Sequence, residues 1–449
     1  MRFSLLLLVS MLVSMSLAGG PYPADLLTVG PLRYSRIQFP MPYGGSRTAC
    51  GDVAVFTTAI TPTSTTLSTF VFAEYDSNGA EIVSLQPVDG GHPDSHERTC
   101  ACADGYRWFV WTEDFGDVIW ARVFLPGGQP VGPSFLVKDA SEGFGDRFSV
   151  STGNGRVVIS FNRTADVLPT PPTDVVMRVY SAAGEPLSTL LPIASWQPPQ
   201  WHEFGRARVM PDGGILHLYT RNPGSHPSVS STSVDFTQFS EWPLGTPGLY
   251  AARLLRSPVV GTRALLQDPE ADEYYLLPLD AFGHPSGTLQ PFPYAVQSLA
   301  ERSDGAFIVT HRNFNHPIAS WFDATGQLIT ANVPYTRPEQ LPRRVGTQLT
   351  VSDAGVVWTG WTDTSSIGEP GQRYMTILRP IVPGDMTGDG RLDNFDIDPF
   401  VLALVDRDAY TALYPQNANM IDALGDMDGD GLLTNFDIDP FVDALVNGP

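Results

Sequence analysis

Seven times along the chain a glycine turn leads directly into an apolar, strand-forming run, and this recurrence constrains the fold more than any other feature. The runs are GDVAVFTTA from Gly51, GYRWFVWTE from Gly105, GRVVISFNR from Gly155, GGILHLYTR from Gly213, GTRALLQDP from Gly261, GAFIVTHRN from Gly305 and GVVWTGWTD from Gly355. Successive starts lie 54, 50, 58, 48, 44 and 50 residues apart. Most units then carry a second strand that runs into another glycine turn: FVFAEYDSNG, VIWARVFLPGG, VVMRVYSAAG, YYLLPLDAFG and IASWFDATG, with VDFTQFSEWPLG the looser counterpart in the fourth. Each unit has room for three or four short strands, and radial repetition of such units makes a propeller. A β-sandwich, or a pair of them, also consumes short strands but does not require even spacing. The expected fold is therefore mainly β, a seven-bladed β-propeller over residues 19–382, with six and eight as neighbouring blade counts. The seventh unit offers a strand at Tyr374–Ile381 and then leaves. Its missing outer strand is expected from the N-terminal side, at Leu26–Val29, because closure of this kind removes an open sheet edge.

The chain begins with Arg2 and an apolar run, Leu5 to Leu17, ending in Ser16-Leu17-Ala18 before Gly19-Gly20. A basic start, a short apolar stretch and small residues at a cleavage position describe a signal peptide over residues 1–18. The run is short for a membrane span, and no later stretch is apolar for long enough to supply one. The mature chain is expected to be secreted. A net charge of −21 with one lysine, Lys138, argues against nucleic acid as a partner. Export permits one disulfide among Cys50, Cys100 and Cys102, with Cys50 pairing to either of the other two.

Past the repeats, GDMTGDGRLDNFDIDPFVLALV from Gly384 and GDMDGDGLLTNFDIDPFVDALV from Gly425 differ at 4 of 22 positions. Each holds a twelve-residue loop, residues 385–396 and 426–437, with oxygen-bearing side chains at the spacing a Ca2+ loop uses. The ligand positions are Asp385, Thr387, Asp389, Arg391 (carbonyl), Asp393 and Asp396, then Asp426, Asp428, Asp430, Leu432 (carbonyl), Thr434 and Asp437. Gly390 and Gly431 stand at the sharp turn, and Leu392 and Leu433 are the apolar plugs. Thr and Asp exchange places between positions 3 and 9, so each loop keeps four carboxylates. Two calcium ions are expected, with folding of the segment coupled to binding.

Pro380, Pro383 and Gly384 exclude a helix leading into the first loop. A calcium loop with only its outgoing helix, duplicated, resembles the dockerin module, and the resemblance covers residues 384–449. It implies a small α-helical domain that docks onto a cohesin-like protein or a cell-surface scaffold. In that family the pair after the loop's ninth position helps recognise the cohesin; here it is Asn394-Phe395 and Asn435-Phe436, whose identity suits binding in two orientations. Pro399 and Pro440 and the 41-residue spacing depart from the family pattern. The prolines are expected as first helical residues behind Asp398 and Asp439 as N-caps. Phe395, Phe400 and Leu404, with Phe436, Phe441 and Leu445, are expected to form the module's core.

No catalytic constellation is legible between the two ends. Glu97, Glu113, Asp114, Asp117 and Glu203 read as loop or strand-end charges, and Trp196, Trp201 and His202 as a rim loop or a stacking platform. Arg98, Arg147, Arg206 and Arg253 precede glycine turns by seven or eight residues and either ring a central channel or pair with acidic neighbours. Asn162-Arg163-Thr164 matches a glycosylation sequon by pattern. Two functional classes follow. One is a propeller recognition platform carrying a docking module; the other is a carbohydrate-active glycoside hydrolase or polysaccharide lyase, with polysaccharide as the propeller's ligand.

Overall fold

The computed structural model describes residues 22–447 apart from 30–31, 42–46, 52, 61–68, 78, 89–97, 114–116, 143–147, 165–172, 195–200, 223–225, 312–317, 336–347 and 364–371. The expected signal peptide lies outside the described residues. Six antiparallel sheets of four strands and one of five follow one another as the blades of a seven-bladed propeller. Blades 1 to 6 span Arg47–Pro87, Arg98–Lys138, Phe148–Ala194, Trp201–Pro243, Tyr250–Phe292 and Val296–Pro334. Blade 7 is built on Gln348–Val351, Val357–Asp363 and Gln372–Pro380. The first strand of each blade is innermost, so neighbouring first strands meet around a central axis.

The local cause is the glycine at each first hairpin. All seven sit at φ between +63° and +89°, the left-handed region an L side chain avoids. At Gly305 a Cβ would also stand 2.6 Å from Ser257 Cα of the preceding blade, so the turn is tied to blade packing. The strand after the turn is sandwiched between neighbouring blades and is buried on both faces. Tyr106–Glu113 is buried at every position after the first, which explains a continuous apolar run where a half-exposed strand would alternate.

Two segments differ from the sequence reading. In blade 4 the third strand is His226–Thr232, and VDFTQFSEWPLG supplies only the following turn and the outer strand Phe239–Pro243. Its small polar side chains hid that strand, yet Ser228 and Ser230 are fully buried. At the ring closure two N-terminal strands are used, β1 (Tyr22–Val29) and β2 (Leu32–Met41). β2 pairs with Gln372–Pro380 of blade 7, and β1, which contains Leu26–Val29, lies one strand farther out.

The disulfide is Cys50–Cys102, with Cα atoms 5.4 Å apart; it joins the innermost strands of blades 1 and 2. Cys100 keeps its thiol, which points to the Val55 carbonyl at 3.7 Å. A buried ion pair also ties these blades: Arg107 Nε lies 2.7 Å from Glu74 Oε1, with both side chains almost wholly enclosed.

Beyond blade 7 come four short helices, α1 (Ile397–Val405), α2 (Arg407–Leu413), α3 (Ile421–Gly425) and α4 (Ile438–Asn447). No helix among the described residues is long and apolar enough to cross a membrane. Phe400 and Phe441, equivalent residues of the two copies, stack with centroids 4.1 Å apart. They belong to one contiguous apolar cluster with Met386, Tyr410 and Leu424, and with Ala54, Phe56, Trp358, Met375 and Ile377 of blades 1 and 7. The helical segment thus shares a core with the seam where the ring closes. Additional contacts are made by β1 against the turn Pro415–Met420 and by Arg33 of β2 with Asp426, at 3.6 Å. Phe395 and Phe436 depart from expectation: both are 77% exposed and contribute nothing to that core.

Candidate metal loops

The first loop follows the last strand of blade 7 through Ile381–Pro383 with no preceding helix, whereas α3 leads into the second. Each loop ends in a 3-10 turn, Asn394–Asp396 or Asn435–Asp437, that continues directly into α1 or α4. Asp393 Oδ1 accepts from Phe395 N at 2.8 Å while Asp396 Oδ2 accepts from Asp393 N at 3.0 Å. In the second copy Thr434 Oγ1 accepts from Phe436 N at 3.2 Å and Asp437 Oδ2 from Thr434 N at 2.7 Å. Both are capping boxes, and Asp and Thr are both good N-caps, which explains why position 9 tolerates the exchange.

These caps correct the expected helix starts. The helices begin at Ile397 and Ile438, and Asp398-Pro399 and Asp439-Pro440 lie inside the first turn. A helix's first N–H groups have no intrahelical acceptor, so proline there forfeits no bond. The two phenylalanines are turned outward by the same 3-10 geometry that aims Asp396 and Asp437 inward.

Four carboxylates lie in the interior at the loop ends: Asp385, Asp396, Asp426 and Asp437 are 1%, 0%, 6% and 0% exposed. Asp385 Oδ1 accepts from Gly388 N (2.7 Å) and Asp389 N (3.0 Å), and Oδ2 from Gly390 N (2.8 Å). Asp396 Oδ1 accepts from Thr387 N at 2.8 Å, and Asp437 Oδ1 from Met427 N and Asp428 N at 2.7 and 3.0 Å. Burial raises the Asp385 pKa and Asp396 adds to the rise, while the Gly390 N–H and the Arg379 guanidinium oppose it. Arg379, from blade 7, donates to the Gly388 carbonyl and so braces the first loop from the propeller side.

In the second loop Asp426, Asp428 and Asp430 each place a carboxylate oxygen within 4.8 Å of the others. Three like charges so close repel unless a cation joins them, and their all-oxygen chemistry is that of a hard divalent ion. Gly390 and Gly431 take φ of +93° and +97°, as the sharp turn requires. Leu433 is buried and Leu392 partly so, both packed on the shared core. The residues of the second loop therefore fit calcium, whereas among the described residues no three carboxylates of the first loop converge in the same way. Calcium would be held by Asp385, Thr387, Asp389, the Arg391 carbonyl, Asp393 and Asp396 in one loop, and by Asp426, Asp428, Asp430, the Leu432 carbonyl, Thr434 and Asp437 in the other.

The other candidates are scattered. Glu113 is buried and accepts from Trp111 Nε1 at 2.8 Å, while Asp117 offers its carbonyl to Lys138 Nζ at 2.5 Å. Asn162 is buried in blade 3, which removes it from the sequon reading. Glu97, Asp114, Arg147 and Trp196 lie outside the described residues, and of Trp201, His202 and Glu203 only the strand backbone is described. Arg98, Arg206 and Arg253 all stand on innermost strands. A pairing that sequence reasoning missed joins Arg208 to Glu301 at 2.5 Å, across 93 residues of chain.

No family model matches the chain, and no curated protein matches it in sequence. Among solved structures it is similar to polysaccharide lyase Uly1, at 8% identity and a TM-score of 0.51, over 76% of this chain and 91% of that one. It is also similar to puromycin hydrolase (15%, TM-score 0.46, over 72% of this chain and 50% of that one) and to Trypanosoma rangeli sialidase (8%, TM-score 0.40, 68% and 57%). At such identities a likeness concerns the fold alone.

Proposed function

We propose that the chain is a secreted calcium-binding protein in which the propeller is a recognition platform and residues 384–449 dock it onto a cohesin-like or cell-surface partner. The observation that carries this reading is the set of four interior carboxylates at the ends of two duplicated loops. Burying several anions this close together is costly even with backbone N–H and hydroxyl donors, and a divalent ion between the carboxylates offsets that cost.

The docking half rests on what the helices leave outside. Phe395, Ile397, Val401 and Val405 are exposed along α1, and Phe436, Ile438, Val442 and Val446 repeat the pattern along α4. Two equivalent apolar stripes, each headed by an Asn-Phe pair, suit a partner that accepts either copy.

Calorimetric titration of Ca2+ into the metal-stripped mature chain tests the first half. Two bound ions are expected, reduced to one by Asp426→Asn with Asp428→Asn; no binding by the parent chain refutes the metal assignment. For docking, Phe395→Asp with Phe436→Asp should leave both ions bound and abolish capture by immobilised cohesin-like domains. Undiminished capture refutes the role given to the stripes.

A further inference from the structure

The central channel carries a cluster of arginines that the calcium loops do not use. Blades 4, 5 and 6 contribute innermost strands Trp201–Val209, Tyr250–Ser257 and Val296–Glu301. Ala207 and Val209 pack among residues of blade 3, so the alternation of a strand turns Arg206 and Arg208 toward blade 5. Arg208 Nη1 reaches the Leu254 carbonyl there, at 3.2 Å, and Glu301 of blade 6, at 2.5 Å. The second Glu301 oxygen accepts from the Arg256 backbone N–H at 2.5 Å. That carboxylate is therefore taken up by Arg208 and the backbone. Arg253 donates to the Leu299 carbonyl at 2.6 Å, and Arg206 has no hydrogen-bond or ion-pair partner among the described residues.

Two guanidinium groups, Arg206 and Arg253, are thus left beside Arg208 without a carboxylate of their own. Burial holds the Arg253 pKa down, to about 10, with Arg206 and Arg208 pushing the same way and Glu301 opposing them. Burial lowers Arg206 as well. Arg206 keeps much of its surface exposed although it stands on an innermost strand. The contrast with the rest of the molecule is sharp, because the chain carries −21 overall. A positive patch inside a low-dielectric tube, on an otherwise acidic protein, concentrates anions there.

We infer that Arg206 and Arg253 form an oxyanion-binding site in the central channel between blades 4, 5 and 6, taking a carboxylate or sulfate group. The planar guanidinium fork matches such groups through two parallel N–H···O bonds, and a bound anion relieves the repulsion between neighbouring cations. The acceptor is small, a free inorganic anion or the acidic group of a sugar acid. This inference stands apart from the docking reading and is unaffected if the loops bind no metal.

The test uses the full mature chain in calcium-containing buffer, with sodium sulfate and sodium galacturonate as probes and chloride and galactose as controls at matched ionic strength. Thermal unfolding and calorimetry should show an upward shift and saturable binding with sulfate or galacturonate but not with the controls. Arg206→Gln should weaken binding about tenfold or more, the value of a lost charged hydrogen bond. In chloride alone the same variant should melt no lower than the parent, because Arg206 has no bond to lose among the described residues and a repulsion with Arg253 to remove. Arg302→Gln, on the exposed Asp304 ion pair, should bind as the parent does. Binding of both probes identifies a general oxyanion site, and binding of galacturonate alone a sugar-acid site; either supports the inference. No oxyanion-specific shift in the parent overturns it, and so does undiminished binding in Arg206→Gln. Arg253→Gln should weaken binding likewise, and should it fail to fold, Arg206→Gln alone decides.

Discussion

Met386→Ala should weaken the propeller although residue 386 lies beyond it. Met386 is fully buried, and it sits in the cluster that also contains Phe56 of blade 1 and Trp358 of blade 7. Truncating a fully buried methionine removes its transfer energy and leaves a cavity, about 2–5 kcal/mol in all. With a urea m-value of about 3 kcal/mol/M the midpoint falls by roughly 0.7–1.7 M. The chain is suited to the measurement, because its nine tryptophans all precede the first loop and, among the described residues, Trp358 alone of them belongs to the shared cluster. Calcium adds a second handle. At a free concentration of about 100 Kd each site contributes about 2.7 kcal/mol, so two contribute about 5. A chelator should therefore move the same tryptophan transition in the same direction as Met386→Ala. A transition that neither perturbation moves, while helical circular dichroism is lost, refutes the common core and restores two independently folding units.

Further outcomes are open to simpler assays. Arg107→Ala strands Glu74 as an unpaired buried charge and should cost about 3–5 kcal/mol in chemical denaturation, whereas Arg107→Met with Glu74→Leu should be close to neutral. Burial depresses His311 to about 4 and His217 to about 3, both below the ordinary imidazole value. The unfolded chain then binds protons that the native state refuses, so stability present above about pH 6.5 drains away as the pH falls toward 4 and 3. For His311 the loss is on the order of 3 kcal/mol, and His311→Gln should flatten that part of a pH–stability profile. An unchanged profile refutes the assignment.

The parts of the fold legible in the sequence were those set by local backbone demands. A glycine forced to positive φ at each of seven hairpins, followed by a strand buried on both faces, writes a repeat that needs no tertiary knowledge. The loops are legible for the same reason, since ligand spacing is local. What was missed depends on packing between distant segments. Small serines at Ser228 and Ser230 look like loop but are covered by neighbouring blades. Nothing in Leu32–Met41 announces that it, and not Leu26–Val29, pairs with blade 7. An apolar Phe395 reads as core, but the cap built on Asp393 turns it outward. Cys100 and Cys102 face the same side of one strand, so the choice of Cys102 rests on how the innermost strands of blades 1 and 2 align, which is set between distant segments. Arg208 and Glu301 meet only because two innermost strands converge on the axis.

The shared seam also sets a direction for mechanical load. A chain held by its helical end transmits force through Met386 and Arg379 into Gln372–Pro380, the strand that β2 zips onto. Tension applied to the tail is therefore borne first by the ladder that keeps the ring shut. The same arrangement orders events during synthesis. β2 can close the ring once Gln372–Pro380 has left the ribosome, and β1 meets its partner turn at Pro415–Met420 only afterwards, so the tail settles on a ring already shut.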